Sequence, residues 1–311
     1  MGAFLVRRAC GLLFVVVAVT FLTFVIGHAA PGDPVQTIMG NRHDPVEHQR
    51  LLHFYGLDRP LLPQFGDYLW HIVRYADFGR SFRYDGTPVT TVVGAGLPVT
   101  LTIGALALIL ATGLGVPVGA WAAVRQNRAA DRVSMSLMLL LYSVPSFVLI
   151  PIILTLDIWL EQHHYPSLPV ANWGTVQQAI LPILVLAAGS TAYIARLTRT
   201  TMVEVLREDF IRTATAKGLP RGRVVAKHAL RPALLPVVTF LGPSIALLVT
   251  STFVVETIFN LPGVGFTAVT SINARDYPVV QGVAIFVAVS VALLNALTDV
   301  AYRVLDPRIQ E

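Results

Sequence analysis

One charged segment between two apolar stretches, residues 204–218, has the residue types and spacing of a functional helix. It reads Glu-Val-Leu-Arg-Glu-Asp-Phe-Ile-Arg-Thr-Ala-Thr-Ala-Lys-Gly. One helical face is predicted to be apolar and the other charged. The apolar face carries Val203, Leu206, Phe210 and Ala214. Gly218 can end this helix in a left-handed conformation. Such a helix either rests on a lipid surface or docks into a groove on a partner protein, and the pattern leaves both open.

A second short helix is predicted to follow the first. It begins at Leu219-Pro220 and continues to about Leu230. Pro232 and Pro236 then mark the return into an apolar stretch, because proline interrupts a regular helix.

The sequence does not indicate catalytic chemistry. The phosphate-binding pattern G-x-x-x-x-G-K-[ST] is missing, since neither Lys217 nor Lys227 is followed by Ser or Thr. No Ser/His/Asp, Cys/His or metal constellation falls at membrane depth. His43, His48 and His53 repeat every five residues, about 140° apart on a helix, so they do not share a face. We expect neither an enzyme nor a metal site, and no cofactor held by this chain.

The composition is that of a membrane protein. Of 311 residues, 54% are apolar and 13% are charged, against about 25% charged in soluble domains. Six apolar stretches are long enough to cross a bilayer, which takes roughly 20 residues. They are residues 9–29, 99–123, 133–156, 179–195, 237–255 and 279–298. The first is longer than a typical signal-peptide core, which favours an uncleaved span. None contains Asp, Glu, Lys or Arg, which argues against a proton- or sodium-driven carrier.

The basic residues predict the orientation. With the amino terminus inside, 16 of the 23 Lys and Arg residues fall on inner segments. Six of the other seven lie in one long loop, residues 31–98, and long loops cross the membrane largely regardless of charge. Both termini are therefore predicted to be cytoplasmic.

The long outer loop is predicted to hold two short helices. Asp44-Pro45-Val46-Glu47 is typical of a helix start, and Gly56 would follow its end. The second helix would run over residues 62–73, with Phe65, Leu69 and Ile72 on one face.

Residues 192–219 resemble the cytoplasmic coupling loop of bacterial ABC-importer permeases, in particular the dipeptide/oligopeptide branch. Five further motifs agree, in chain order. They are Pro31-Gly-Asp-Pro34, Tyr55-Gly-Leu-Asp-Arg-Pro-Leu61, Asp77-Phe-Gly-Arg-Ser81, Val254-Val-Glu-Thr-Ile-Phe-Asn-Leu-Pro-Gly-Val-Gly265 and Leu305-Asp-Pro-Arg-Ile309. The resemblance spans essentially the whole chain.

The resemblance implies a set of residues that contact an ATPase. They are Glu208, Asp209, Phe210, Arg212, Thr213, Ala214, Gly218 and Leu219. The family pattern E-A-A-x3-G falls on Arg212, Thr213, Ala214 and Gly218, so its Glu and first Ala are replaced. The role of that Glu cannot be carried to Arg212, and Glu208, Asp209 and Arg212 are the alternatives for a contact by charge pairing. Leu230 matches a later Leu, but Arg231 stands where the family has Pro.

Two further residue sets are predicted, one implied by the resemblance and one taken from polar residues within the apolar stretches. The outer gate, facing a substrate-binding protein, would hold Glu256, Phe259, Pro262, Gly263 and Gly265. A carboxylate at the end of a span is more often a boundary or loop-capping residue than a ligand. Phe259, Pro262, Gly263 and Gly265 are predicted to form a rigid turn followed by flexible positions. The translocation path would use Ser244, Thr250, Ser251 and Asn295, although such residues more often bond neighbouring helices.

The implied architecture is an all-α membrane protein with six transmembrane helices. Residues 1–311 form one transmembrane domain. It comprises a first span (9–29), an extracytoplasmic helical loop (30–98), a core (99–303) with a coupling loop (200–236), and a cytoplasmic tail (304–311).

The implied assembly is a peptide importer in the bacterial cytoplasmic membrane. This chain would pair with a second homologous permease, two cytoplasmic ATPases that bind ATP and magnesium, and an extracytoplasmic binding protein. The alternatives are the same machine with nickel, an oligosaccharide, glutathione or another peptide-like cargo, and an ATP-independent channel.

Overall fold

The computed structural model describes residues 2–29, 34–39, 44–54, 56, 58–84 and 86–305, and it is helical almost throughout. The helices are α1 (Gly2–Ala29), α2 (Pro34–Met39), α3 (Pro45–Phe54), α4 (Leu61–Tyr75), α5 (Val89–Val124), α6 (Ala129–Ser143), α7 (Ser146–Gln162), α8 (Val176–Val205), α9 (Asp209–Ala216), α10 (Arg221–Arg223), α11 (Leu230–Ala233), α12 (Leu235–Ile258), α13 (Val264–Asn273) and α14 (Tyr277–Leu305). A π-helical turn, Val224–Ala229, joins α10 to α11. The chain divides into two compact units. The first unit comprises Met1–Thr100 and Leu261–Ala296, and the second comprises Leu101–Asn260 and Leu297–Glu311.

The two predicted helices of the outer loop are confirmed. The Asp44 carboxylate accepts hydrogen bonds from the backbone N–H groups of Val46 (2.9 Å) and Glu47 (3.4 Å), so it caps α3 as the sequence indicated. The helix predicted over residues 62–73 is α4, which ends at a left-handed Ala76 with φ 50°. The sequence did not predict α2.

The first unit fixes the end of the outer loop through a buried carboxylate. Asp276 is fully buried. It accepts hydrogen bonds from the Ser81 hydroxyl and from the backbone N–H groups of Phe82 (3.1 Å) and Arg83 (3.3 Å). The segment that carries the Asp77-Phe-Gly-Arg-Ser81 motif is thereby tied to the turn between α13 and α14.

The second unit contains a close crossing of α5 and α8. A Cβ atom added at Gly119 would lie 2.3 Å from the Ala195 carbonyl oxygen, and one at Gly115 would lie 2.9 Å from Ile194. The two glycines are four residues apart and share a helix face, so the backbones approach closely, as is usual between membrane helices.

The third predicted span, residues 133–156, is not one helix. It comprises α6 and the first part of α7, which meet at an angle of 106°. Val144 between them is extended, with φ −88° and ψ 114°, because the Pro145 ring disfavours helical backbone in the residue before it. The sequence prediction considered only the length of the apolar stretch and did not take this proline into account.

Three helices are long and apolar enough to span a membrane among the residues described: Val89–Val124, Val176–Val205 and Tyr277–Ala296. Two bent pairs raise the number to five if each pair is one span, and Leu13–Gly27 is a shorter apolar helix. The chain is therefore a multi-pass membrane protein, while six spans remain a prediction.

Some sequence predictions concern residues outside those described. They involve residues 30–33, 40–43, 55, 57 and 306–311, so parts of three family motifs, the histidine at 43 and most of the predicted tail (304–311) lie there.

Candidate coupling site and outer-gate segment

The predicted coupling loop, residues 200–236, starts in the last turns of α8 and leaves that helix at Leu206. The backbone N–H groups of Leu206 and Glu208 still bond back to Met202 (2.9 Å) and Val205 (3.1 Å). Glu208 itself is extended, with φ −68° and ψ 148°, and α9 starts after it. Asp209 occupies the first turn of α9, where a negative charge is favourable near the positive end of the helix dipole.

One face of α9 is buried in an aliphatic cluster. Ile211 and Ala214 are buried on this face. The cluster, called here the coupling core, consists of Ala123, Met202, Ile211, Ala214, Val224, Ala229 and Ala233. It joins the ends of α5 and α8 to α9 and to the helical turns that follow. The coupling helix therefore rests on the rest of the second unit through close apolar packing.

The single apolar face predicted for residues 203–214 is wrong in one respect. The break at Leu206–Glu208 changes the helix axis, so positions before and after it no longer share one face. Val203 and Leu206 pack beside the coupling core and Ala214 lies inside it, but the Phe210 ring is 46% exposed. Ile211 takes the buried position instead.

The other implied contact residues lie on the open side of the same helix. Glu208, Asp209, Arg212 and Thr213 are all exposed. Arg212 donates to the Asp209 carboxylate at 3.2 Å, and both side chains are more than three quarters exposed. A pair so exposed contributes little to stability, so both charges are available to a partner.

Gly218 closes α9 in the predicted left-handed conformation, with φ 77°. The Gly218 N–H donates to the Thr215 carbonyl (3.0 Å), and the Leu219 N–H donates to the Ala214 carbonyl (3.4 Å). These two bonds and the packing of Leu219 beside the coupling core make a Schellman motif. No other atom lies within 4 Å of a Cβ built at Gly218, so the backbone conformation alone selects glycine.

The predicted second helix runs three residues beyond Leu230, to Ala233. Its middle is a π-helical turn, Val224–Ala229. The helical segment Arg221–Ala233 meets Leu235–Ser244 at 47°. The Thr201 hydroxyl donates to the Ala233 carbonyl at 2.9 Å, which ties this segment back to α8.

An ion pair that the sequence did not predict links α6 to α8. Arg199 donates to both oxygens of Asp131, from Nε at 2.6 Å and from a terminal nitrogen at 2.7 Å. The Asn127 N–H donates to the same carboxylate at 2.9 Å. Asp131 is buried and Arg199 is mostly so. The sequence offered one signal for this pair, namely a single acidic residue just before an apolar stretch and close to arginines that are predicted to lie on the inner side.

The outer-gate segment, residues 254–265, is mostly closed to solvent. Glu256, Phe259, Gly263 and Gly265 are all buried, and Pro262 alone of the five implied residues is exposed. Gly265 lies inside α13, so the flexible positions predicted after the turn are wrong, because the helix begins at Val264.

Two sets of backbone contacts hold the outer-gate segment. In the second unit, the Asn172 N–H donates to the Phe259 carbonyl (3.2 Å), and the Asn260 side chain donates to that of Asn172 (3.2 Å). In the first unit, the Val264 N–H donates to the Thr100 hydroxyl at 2.9 Å. A Cβ at Gly96 would meet the Gly263 carbonyl carbon at 2.7 Å.

The residues implied for the translocation path are distributed over two helices. Ser244, buried in α12, donates to the Phe240 carbonyl at 2.7 Å, as expected of a hydroxyl that bonds its own helix. Thr250 and Ser251 of α12 are exposed, and so is Asn295 of α14.

Three of the described histidines bond to protein groups. His53 contacts the Asp58 carboxylate at 2.8 Å, and His71 and His163 contact the backbone carbonyls four residues before them. No three His, Cys, Asp or Glu side chains within the described ranges are grouped to hold a metal ion.

The helices and the coupling loop together define a helical membrane component of a transport system. Residues 115–311 match the family model "Binding-protein-dependent transport system inner membrane component", and residues 1–104 match that family's N-terminal model. The chain belongs to this family.

Full-length relatives are similar to this chain. The dipeptide transport system permease protein DppB of Bacillus subtilis is 40% identical over 310 residues, covering 100% of this chain and 98% of that protein. The Escherichia coli K12 protein of the same name is 37% identical, covering 99% and 98%. The oligopeptide transport system permease protein OppB of Haemophilus influenzae is 38% identical, covering 94% of each.

A solved structure shares the fold. The crystal structure of an amino acid ABC transporter with histidines aligns with a TM-score of 0.52 at 18% identity, covering 69% of this chain and 94% of that one.

Proposed function

We propose that this chain is a permease subunit of an ATP-driven importer of di- and oligopeptides. It forms half of the translocation pathway with a second homologous permease. Two cytoplasmic ATPase subunits bind and hydrolyse ATP, and an extracytoplasmic binding protein delivers the peptide. The chain carries out no covalent chemistry and holds no cofactor of its own. The names of its full-length relatives support the peptide cargo.

The observation that carries this proposal is the construction of α9. Its inner face is fixed in the coupling core, while Asp209, Phe210 and Arg212 are exposed. A displacement of α9 by a partner therefore reaches α5 and α8 through close packing, as a rigid-body motion. An amphipathic helix on a lipid surface would turn its large apolar side chains outward. The outer side of α9 is mainly polar, with Phe210 as its one large apolar side chain, which favours a protein groove.

The outer-gate segment acts from inside the protein in this proposal. Because Glu256 and Phe259 are fully buried, they shape the segment, and the exposed Pro262 and Asn260 are available to meet a binding protein. The exposed Thr250, Ser251 and Asn295 contact the peptide in the pathway of this proposal.

Reconstitution tests the function. The chain, its second permease, the ATPases and the binding protein are placed in proteoliposomes, and dipeptide uptake is measured. We expect accumulation that needs hydrolysable ATP and survives collapse of the proton gradient. A complex whose ATPase lacks its catalytic Glu should assemble without transporting. Uptake of nickel or an oligosaccharide in place of peptides would reassign the cargo, and accumulation by the lone chain after a pH step would refute the proposal.

Cysteine labelling tests the topology, which places both termini in the cytoplasm. In a Cys10→Ser background, Asp77→Cys should react with an impermeant maleimide added to intact cells, and Arg221→Cys should react only after lysis. The reverse pattern would invert the orientation.

A further inference from the structure

Helix α4 carries three different surfaces around its axis. At about 100° per residue, Phe65, Tyr68 and Ile72 fall within one arc, and Asp67, His71 and Arg74 fall on a second. Leu62, Leu69 and Val73 form a third arc, only about 40° wide, with Trp70 at its edge. We call them the α1-facing arc, the polar arc and the open arc.

The α1-facing arc is occupied. The Phe65 ring lies 5.3 Å from that of Phe21 and 5.5 Å from that of Phe24, centroid to centroid, and Tyr68 stacks on Phe24 at 6.2 Å. This aromatic packing fixes α4 against the end of α1 that precedes the outer loop.

The polar arc makes the exposed ion pair and hydrogen bond that are typical of a solvated surface. Arg59 donates to the Asp67 carboxylate at 3.2 Å, with both side chains more than half exposed. His71 contacts the Asp67 backbone carbonyl at 2.7 Å.

The open arc is apolar, and within the described part of the chain it is largely uncovered, with Leu69 half-buried. Leu62 is 75% exposed, Val73 72% and Trp70 61%. Monomeric soluble surfaces rarely group large apolar side chains in this way. We propose that the open arc of α4 lies in the lipid bilayer, so that α4 is an interfacial helix anchoring the outer loop to the membrane surface.

Continuity with α1 identifies lipid as the occupant. Phe21, Leu22, Val25 and Ile26 of α1 are exposed to between 38% and 60%, as lipid-facing residues of a spanning helix are. Phe21 contacts Phe65, so the exposed surface of α1 continues onto α4. Trp70, between the open and polar arcs, has the position that indole rings prefer at a membrane interface. The open arc is only one helix wide. It is therefore too small for a stable protein interface, which buries about 800 Å² on each partner.

Three consecutive residues provide the test, because Ile72, Val73 and Arg74 belong to the α1-facing, open and polar arcs. Each is replaced singly by Cys in the Cys10→Ser full-length chain and spin-labelled. The variants are reconstituted with the partner subunits in vesicles of phosphatidylethanolamine and phosphatidylglycerol. Collision of each label with oxygen, which partitions into lipid, is compared with collision with a water-soluble nickel chelate.

The expected order is specific to a lipid contact. The oxygen-to-nickel ratio at Val73→Cys should exceed that at Arg74→Cys severalfold, and Ile72→Cys should be poorly accessible to both reagents. Leu62→Cys should repeat the result of Val73→Cys, and His71→Cys that of Arg74→Cys. High nickel access at Val73→Cys would place the arc in water, and low access to both reagents would show a protein covering it. Either result overturns the proposal.

In the proposed topology this lipid contact lies in the outer leaflet, and that part of the inference rests on the proposed function. Ascorbate added outside intact cells should reduce the nitroxide at Arg74→Cys. If it does not while Val73→Cys still contacts lipid, the orientation fails and the lipid contact stands.

Discussion

The coupling loop and the outer-gate segment use their polar residues in opposite ways. In the coupling loop the aliphatic residues are buried and the charged ones exposed, so Asp209 and Arg212 are bound only to each other at the surface. In the outer-gate segment Glu256 is buried, and the Phe259 backbone carbonyl accepts a hydrogen bond from the Asn172 N–H. The first region presents side chains to a partner, whereas the second fixes the shape of its own backbone.

This difference separates two kinds of mutational effect. Substitutions on the open side of α9 should change coupling while leaving the folded protein intact. Substitutions in the outer-gate segment and its supports should first lower stability. The exception is the Asp131–Arg199 pair, whose carboxylate is buried like that of Glu256.

The largest effect is expected from Arg199→Ala. It leaves the buried Asp131 carboxylate without its bidentate partner, and breaking a buried pair in this way costs about 3–5 kcal/mol. Because about a quarter of the Arg199 side chain is exposed, we expect a loss of stability near the lower end of this range. The melting temperature of the purified protein in detergent measures it. Arg196→Ala, one turn away, is the control, and an unchanged melting temperature for Arg199→Ala would contradict the assigned role.

Asp276→Ala should come next. It deprives the Ser81 hydroxyl and the backbone N–H groups of Phe82 and Arg83 of their acceptor. Buried donors left unsatisfied cost about 1–3 kcal/mol. We expect faster proteolysis within residues 77–88, monitored by limited digestion, whereas Asp77→Ala in the same exposed segment should digest as the parent protein does. Equal digestion of both variants would show that Asp276 does not hold the loop.

Gly218→Val tests the end of α9. A side chain in the left-handed conformation costs about 1–2 kcal/mol, and valine more because it is β-branched. We expect the variant to insert normally but to lose peptide-stimulated ATPase activity. Gly222→Val is matched, since both sites are in open space and Gly222 has no positive φ. If both variants lose activity equally, backbone conformation at Gly218 is not the cause.

The smallest effect on stability, within about 0.5 kcal/mol, is expected from Arg212→Ala. Its ion pair is exposed, so folding loses little. A contact with the ATPase would nevertheless be lost, lowering the affinity of the permease for that subunit in a pull-down titration. Arg207→Ala, also exposed, should retain the parent affinity. A loss of thermal stability in Arg212→Ala without weaker ATPase binding would reverse the comparison.

The sequence by itself determined the helices whose signal is local. The apolar stretches at 99–123 and 179–195 lie inside α5 and α8, Asp44 caps α3, and Gly218 ends α9. Each of these depends on apolar length, on a side chain bonding a backbone group two or three residues away, or on one residue's φ angle. All three features depend on residues that are close together in the chain, so they can be predicted from the sequence.

Tertiary structure alone decided which residues are buried and with whom they pair. Nothing local joins Asp131 to Arg199, or Ser81 to Asp276. Phe210 and Ile211 are adjacent large apolar residues, and the turn at Leu206–Glu208 determined which enters the coupling core. Glu256 resembled a surface carboxylate and is buried. Burial and long-range pairing depend on the direction in which each helix leaves its turn, and small backbone changes there move side chains from one face to another.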